Sequence, residues 1–171
     1  MEYFTHLVPY GLLVCKECQY GVLPSQVTTH LAGPQHQLPA RQRREIRDVV
    51  ATWPGLLQTD VDFKRVGNPR DRPRRLEALA LHSDGKMCHL CGHIVRTRDG
   101  IQAHYRREHG VRTSWASGLS GVDGRNPPWA EGVHCQRFFT HGAAQGYFEV
   151  QAPDESDRDA KPTVQKRPDS L

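Results

Sequence analysis

Residues 88–109, CHLCGHIVRTRDGIQAHYRREH, carry two cysteines and two histidines at a spacing typical of a zinc finger. Cys88 and Cys91 are separated by two residues. Twelve residues then lead to His104, and four more separate it from His109. Two thiolates on a tight turn and two imidazoles on one helix face offer the ligands that Zn²⁺ accepts in a tetrahedron. Four protein ligands leave no open coordination position, so the spacing predicts a structural metal site that stabilises this short segment.

A second copy of this pattern lies at residues 15–36. Its intervals are two, eleven and five residues, and its ligands are Cys15, Cys18, His30 and His36. Gly33 and Pro34 stand between the two histidines and predict that the helix ends there, so that His36 reaches back from a loop. The sequence therefore predicts eight metal ligands and two structural zinc ions.

Both copies carry apolar residues at matching offsets. One lies four residues after the second cysteine, and the other lies three residues before the first histidine. They are Val22 and Val27 in the first copy and Val95 and Ile101 in the second. Each pair joins one hairpin residue to one helix residue, so it is the expected miniature core of a finger.

The composition favours small metal-held units over one large core. Only 37% of the 171 residues are hydrophobic, and there are 15 glycines and 12 prolines. The net charge of +4 permits nucleic-acid contact without requiring it. The start of the chain is not typical of a secretory signal, and no run is long enough to span a bilayer. We therefore expect an intracellular protein whose cysteine pairs bind metal rather than form disulfides.

The expected fold class is small α+β, with two metal-stabilised ββα fingers joined by a helix-containing linker. A small C-terminal β-hairpin region and a disordered tail follow. In chain order the segments are a first C2H2-type finger at 1–37, a helix and linker at 38–81, a second finger at 82–110, a flexible linker at 111–128, a small β region at 129–150 and a disordered tail at 151–171.

The longest predicted helix spans residues 38–53. Its expected apolar face consists of Ile46, Val49, Val50 and Trp53. Four arginines occupy the remaining positions: Arg41, Arg43, Arg44 and Arg47. A solvated face is the favoured interpretation of these arginines, and a phosphate-contacting or nuclear-import role is the alternative.

Other local patterns are weaker. Residues 12–14 read as a short strand entering the first cysteine turn, and residues 56–80 read as irregular with a possible short helix at 74–80. Residues 82–86 read as the approach and turn into the second finger, whose helix runs from Asp99 to His109 and stops at Gly110. At the C-terminal side, residues 137–139 and 147–150 read as the strands of a hairpin.

Five further residues could be mistaken for ligands. His89 and His93 flank the second cysteine pair, but four better-spaced ligands exist, so surface histidines are favoured. Cys135 with His134 or His141 could form a third metal site. Adjacent strand residues point to opposite faces, which favours a buried structural Cys135.

With these residues in place, the chain resembles the fungal OrsD-like family, which has two C2H2-type fingers. The resemblance covers roughly residues 3–150. It is carried by residues 14–24 with His30 and His36, by the basic helix ending at residues 53–56, and by residues 82–88, 129–139 and 147–150. It implies a zinc-binding nuclear protein. Relatives can carry helicase-like regions, but this chain has no phosphate-binding loop, so no such activity is transferred.

The helices are poorly suited to reading DNA bases. Helix positions −1, 3 and 6 would be Leu23, Gln26 and Thr29 in the first copy and Thr97, Gly100 and Ala103 in the second. Among these only Gln26 suits bidentate readout. Residues 37–87 also separate the copies too widely for tandem fingers. Arginines around the second copy could still hold phosphates without sequence preference: Arg96, Arg98, Arg106, Arg107 and Arg112.

The sequence therefore favours a non-catalytic binding module that contacts an unidentified protein partner, a nucleic-acid backbone, or both. No membrane and no small-molecule substrate are expected, and the nucleus is the expected location. A sequence-specific transcription regulator is the alternative. A redox enzyme using a C-x-x-C pair would leave the paired histidines unexplained, and the nucleobase-deaminase signature is absent.

Overall fold

A computed structural model describes residues 2–111, 128–142 and 145–153. Over these residues the chain forms a small α+β fold around two antiparallel sheets. The flexible linker predicted at 111–128 and the disordered tail predicted at 151–171 lie almost wholly outside the described residues.

The first sheet has three strands in the order β1-β2-β3. These are β1 (Phe4–Leu7), β2 (Leu12–Cys15) and β3 (Tyr20–Val22). A 3-10 turn at Val8–Tyr10 joins β1 to β2 and ends at Gly11, whose φ of 60° favours glycine. A Cβ at Gly11 would also lie 2.5 Å from the carbonyl oxygen of Gly55. The predicted strand at 12–14 is confirmed as β2.

Two helices follow the first sheet. A 3-10 turn at Pro24–Gln26 leads into α1 (Val27–Ala32), and α2 (Ala40–Ala51) packs across α1. The predicted long helix is confirmed with slightly shorter bounds. Ile46 and Val50 are buried, but Val49 is 50% exposed, so its placement on the apolar face was wrong.

Strand β2 is buried on both faces because its alternate residues enter different cores. Leu13 and Cys15 pack with residues of α1 and α2, including Leu31 and Val50. Leu12 and Val14 face a second core that contains large side chains from distant parts of the chain: Phe63, Leu79, Phe138, Phe139, Phe148 and Val150.

The region at 56–80 contains a helix that the sequence analysis missed. This helix is α3 (Asp60–Val66), and Thr59 caps its N-terminus by accepting from the backbone N–H of Asp62. The short helix suggested at 74–80 is wrong. Instead, the buried Gln136 side chain bonds the backbone of Leu76 and Leu79, which holds this segment in an irregular path.

The second sheet has four strands in the order β5-β4-β6-β7. These are β4 (His82–Cys88), β5 (Ile94–Val95), β6 (Trp129–Arg137) and β7 (Tyr147–Glu149), and α4 (Arg98–His109) follows β5. The turn predicted at residues 82–86 is wrong, because this stretch lies within β4. Strand β6 approaches so closely that a Cβ at Gly85 would lie 2.6 Å from the carbonyl oxygen of Val133.

The predicted C-terminal hairpin is present, since β6 and β7 pair antiparallel. However, β6 also pairs with β4 on its other side, so residues 129–150 are part of the sheet that carries Cys88. Phe138 and Phe139 lie beyond the end of β6 rather than in a strand, and both are buried. The hairpin is therefore not a separate sheet.

Candidate metal centres

The first ligand set is assembled from a strand end, a turn, a helix and a loop. Cys15 ends β2, and Cys18 lies in the turn before β3, where its backbone N–H donates to Cys15 Sγ at 3.4 Å. His30 lies on α1. That helix ends at Ala32, so His36 returns from the loop beyond it, as predicted. The four ligand atoms all lie within 4.8 Å of one another.

The distances within this set match a tetrahedral metal site. Ligands at zinc-typical bond lengths of about 2.0–2.3 Å stand about 3.3–3.8 Å apart at the corners of a tetrahedron. His36 Nε2 lies 3.5 Å from Cys15 Sγ, 3.3 Å from Cys18 Sγ and 3.2 Å from His30 Nε2. The first set could therefore hold one metal ion, with no large rearrangement.

Two side chains contact the outer ring nitrogens of the first set. The Glu17 carboxylate lies 2.9 Å from His36 Nδ1, and the Tyr20 hydroxyl lies 3.5 Å from His30 Nδ1. Groups in this position fix which ring nitrogen faces a metal. In the sequence both residues stand beside Cys18, but nothing in the spacing assigned them this role.

The second ligand set lies at the junction of β4 and α4. Cys88 ends β4, and its backbone carbonyl accepts from Gly92 N–H at 2.9 Å, which closes the turn that contains Cys91. His104 and His109 lie on α4, which ends at Gly110 in the left-handed region with a φ of 66°. The predicted helix and its stop are confirmed.

The second set has the same geometry as the first. Cys91 Sγ lies 3.2 Å from His104 Nε2, and Cys88 Sγ lies 3.4 Å from His109 Nε2. The two Nε2 atoms are 3.3 Å apart. All four ligand atoms lie within 4.8 Å of one another. The chain therefore has two Cys2His2 groups, each able to hold a metal ion.

Aromatic rings surround the second set. The His93 ring stacks on His104 with centroids 4.4 Å apart. The Tyr105 hydroxyl donates to the backbone carbonyl of Pro128 and accepts from the backbone N–H of His89 at 3.3 Å. Tyr105 also packs against Trp129, the first residue of β6. These contacts fix the helix that carries both histidines.

The protonation of the metal-free ligands follows from their surroundings. Burial and, second, the neighbouring Cys15 raise the pKa of the Cys18 thiol to about 11. Burial and the adjacent imidazoles lower the pKa of His30 and His104. His30 and His104 are therefore neutral near pH 7, the form that binds a metal, whereas Cys18 must lose a proton to bind.

The surroundings of Cys88 and Cys135 shift the pKa values of these two thiols in opposite directions. Burial acts first to raise the pKa of Cys88, but the neighbouring Tyr105 side chain and the backbone amides of Leu90 and Cys91 outweigh burial and lower it. Cys135 has no such donors. Burial raises its pKa to about 11, and it packs among Ile94 and Val133.

The structure also places the apolar residues predicted beside each ligand set and the other histidines and cysteine considered as ligands. All four miniature-core residues contribute to apolar clusters beside their ligands. His89 and His93 are exposed and lie outside the ligand sets. Across the described part of the chain, no group of three close ligands includes Cys135, His134 or His141. Cys135 is buried among apolar side chains, and its burial agrees with the sequence prediction.

Two side chains at the helix positions considered for base reading form hydrogen bonds with backbone groups of this chain. Thr97 caps α4, and its Oγ1 accepts from the N–H of Gly100 at 3.1 Å. The Gln26 carbonyl oxygen accepts from the N–H of Leu23 at 3.4 Å. Both side chains are therefore engaged in caps, including Gln26, the one residue that the sequence pattern singled out as suited to bidentate readout.

Many arginines are also bound to groups of the same chain. On α2, Arg41 pairs with Glu45 and Arg47 with Asp48, while Arg43 donates to the backbone carbonyl of Thr28. Near the second set, Arg96 makes a two-bond contact with Asp84, at 2.7 and 2.9 Å. Arg107 pairs with Glu108. These pairs favour a solvated face over a continuous phosphate-binding surface.

A groove of about 630 Å³ lies beside the first set. Tyr20 and His30 form one wall, and Thr140 and His141 form the other. Among the described residues, its lining includes no carboxylate, lysine or arginine side chain.

Comparison with known proteins gives one match. A family model described as Orsellinic acid/F9775 biosynthesis cluster protein D matches residues 2–110, which include both ligand sets. Comparisons with curated proteins and with solved structures gave no match. Separately, none of the helices in the described residues is both long and apolar enough to cross a membrane.

Proposed function

The chain belongs to the OrsD family, whose model covers more than half of it and both ligand sets. From this premise we propose that the protein is a non-catalytic binding module held together by two structural zinc ions, each in a ββα finger. The observation that carries the proposal is the completeness of the two ligand sets. Each offers four converging side-chain ligands, the number that fills a tetrahedral structural zinc site.

The donor atoms favour zinc over other metals. Two thiolates and two imidazoles suit a borderline-soft ion with no geometric preference of its own. When bound, the ion supplies folding energy to segments whose apolar cores are small. Glu17 and Tyr20 then orient the two imidazoles of the first set, while Tyr105 and Trp129 position the helix of the second.

Metal analysis of the purified chain tests this proposal. We expect two zinc ions per chain. Cys88→Ser removes one ligand of the second set, so this variant should retain about one ion. The matched control is Cys135→Ser, since Cys135 is buried but lies outside both ligand sets. A wild-type chain with one ion or none contradicts the two-site proposal.

For the partner, we favour a protein surface over a DNA sequence. Thr97 and Gln26 are engaged in helix caps, and several arginines are paired within the chain. Non-specific contact with a nucleic-acid backbone is the second candidate, because Arg44 and Arg106 remain exposed on two different helices. A sequence-specific transcription regulator is the less favoured alternative.

A salt titration of binding to duplex DNA separates these candidates. Backbone contact predicts binding at low salt that weakens steeply as salt rises, with no dependence on sequence. Arg44→Gln and Arg106→Gln should each reduce the salt dependence by roughly one counterion. An absence of binding at low salt rules out the nucleic-acid candidate. A preference for one sequence supports the regulator instead.

The absence of catalysis and the nuclear location are also part of the proposal. Chelation of the metal should unfold the chain if the cysteines are structural ligands, as measured by circular dichroism. A chain that keeps its fold and gains two reactive thiol pairs would point to thiol redox chemistry instead. Imaging of the tagged protein tests the nuclear location.

A further inference from the structure

Strand β6 connects the two ligand sets. Its first residue, Trp129, is paired with Cys88 in the β4–β6 register and packs in the same cluster as Cys88 and Tyr105. The residue just beyond its other end, Phe138, accepts a hydrogen bond through its backbone carbonyl from the N–H of Gly21. Gly21 lies three residues after Cys18, so one strand reaches from one set of ligands to the other.

A second link joins the same two places. The backbone N–H of Ala80 donates to the carbonyl of Gln19 at 3.1 Å. Gln19 follows Cys18 directly and adopts a positive φ of 56°. Ala80 stands two residues before β4, the strand that ends in Cys88. One link therefore attaches to the turn that carries Cys18, and the other attaches to β3, which follows that turn directly.

Gly21 of β3 packs closely against the two residues that follow β6. A Cβ placed on Gly21 would lie 2.9 Å from the Phe138 carbonyl oxygen and 3.1 Å from the Phe139 ring. The two phenylalanines are buried against Leu12 and Val14, on the face of β2 opposite Cys15. The position of the first cysteine pair therefore depends on the C-terminal end of β6.

From this arrangement we propose that the two metal sites bind zinc cooperatively, with β6 as the element that couples them. Zinc at the second set fixes β4 and, through pairing, β6. The ordered β6 then holds the Cys15–Cys18 turn in its ligand-binding form, so the first set binds more tightly. The coupling is reciprocal, because each ion must change the affinity of the other by the same factor. This inference rests on the proposed function, since it requires that both sets bind zinc.

Native mass spectrometry of a stepwise zinc titration tests the coupling without any substitution. Two independent sites leave at least about half of the chains with one ion at half saturation, and unequal affinities raise this fraction. For two sites of equal intrinsic affinity, coupling of about tenfold, within the usual range, lowers the one-ion fraction to about one quarter. A fraction below one half demonstrates coupling. Where the fraction is one half or more, a first-set affinity that is unchanged in Cys88→Ser overturns the proposal.

Two variants test the route. Gly21→Ala adds a Cβ that forces the end of β6 away from β3, and it changes no metal ligand. The one-ion fraction of this variant should therefore rise toward one half. Gly146→Ala is the matched control, because the nearest atom to its added Cβ belongs only to the flexible Asn68 side chain. If Gly21→Ala leaves a low one-ion fraction unchanged, β6 is not the coupling element.

A reciprocal measurement covers the case in which Gly21→Ala does not fold. In Cys88→Ser, which lacks the second site, the zinc affinity of the first set should fall at least about fivefold. An unchanged affinity overturns the coupling. A wild-type chain that binds no zinc contradicts the proposed function as well. A wild-type chain that binds two ions, together with a first-set affinity that Cys88→Ser leaves unchanged, contradicts the coupling alone.

Discussion

At the scale of single residues, Gln136 shows how one buried side chain holds a long connection in place. Its side chain is fully buried. It accepts from the N–H of Leu76 and donates to the carbonyls of Leu76 and Leu79. The backbone between α3 and β4 therefore obtains its hydrogen bonds from a side chain 60 residues away, rather than from a helix of its own.

Gln136→Leu should destabilise the protein markedly. The substitution keeps a similar volume but removes the partner of the Leu76 N–H and of the buried Leu79 carbonyl, at a cost of about 1–3 kcal/mol for each unsatisfied buried group. We expect a loss of about 3 kcal/mol in the free energy of unfolding, measured by urea denaturation with zinc bound. Gln145→Leu is the control, since that residue is exposed. Equal stabilities of the two variants would contradict this role.

Cys18 makes zinc binding at the first set dependent on pH. Its pKa of about 11 in the metal-free fold keeps the thiol protonated near pH 7, whereas the lowered pKa of His30 leaves that ring neutral. Binding therefore expels a proton from Cys18 and none from His30. Zinc affinity should rise with pH, by about tenfold per unit for each proton released.

Competition titrations with a zinc chelator between about pH 6.5 and pH 8 measure this dependence. In the second set the pKa of Cys88 is lowered, whereas burial raises the pKa of Cys91, so the affinity of that set should also rise with pH, through Cys91. An affinity of the first set that does not change over this range would show that Cys18 is already ionised without metal.

At the scale of secondary structure, α4 carries half of the second ligand set and depends on its N-terminal cap. Thr97 Oγ1 accepts from the N–H of Gly100, and Gly110 ends the helix. Loss of such a cap typically costs about 1 kcal/mol. The helix must be formed for His104 and His109 to lie on one face, so the cap also contributes to metal affinity.

Thr97→Ala should therefore lower the zinc affinity of the second set by several-fold, as well as the stability of the protein by about 1 kcal/mol. Thr59→Ala is a matched control, because Thr59 caps α3 in the same way and α3 carries no ligand. We expect a similar loss of stability in that variant but no change in the affinity of the second set. Chelator competition on both variants provides the measurement.

The elements predicted correctly from sequence are those set by local signals. Helix α4 has its histidine spacing and a glycine stop, and α2 ends before Pro54. Helix α3 also had a local signal, in Thr59 followed three residues later by Asp62, which the sequence analysis did not use. Strand β4 had none. Ser83, Asp84 and Gly85 look like a turn, and only pairing with the distant β6 makes them extended.

In the ligand sets, too, local spacing could be used for prediction and side-chain contacts could not. Their eight members could be predicted because metal ligands must stand at defined intervals in the chain. Glu17, Tyr20 and His93 could not be assigned as their neighbours, because these contacts depend on side-chain directions that spacing does not encode.

At the scale of the whole molecule, the fold extends beyond the region that the family model matches. That match ends at residue 110, yet β6 and β7 supply two of the four strands in the second sheet. Trp129 completes the apolar cluster of the second ligand set, and Phe138 covers Leu12 and Val14. The matched residues therefore leave both cores incomplete.

A fragment of residues 1–110 should lose the cooperative unfolding transition of the full chain. Without β6, the Leu12 and Val14 face of β2 becomes exposed, so we expect the fragment to bind a hydrophobic dye and to hold zinc less tightly at the second set. A chain ending at residue 153 retains β7 and should behave like the full protein. Equal transitions for the 1–110 fragment and the full chain would contradict this prediction.

The alternation of β2 also constrains how this sequence can change over evolutionary time. Leu12 and Val14 serve one core, whereas Leu13 and Cys15 serve the other. A single-residue insertion or deletion within this strand exchanges the two faces from that point on. Such a change would turn Cys15 away from the other three ligands of its set, and an apolar residue would take its place beside them. Substitutions of similar size can accumulate in β2, but changes of length there cannot, and relatives should share an ungapped strand at this position.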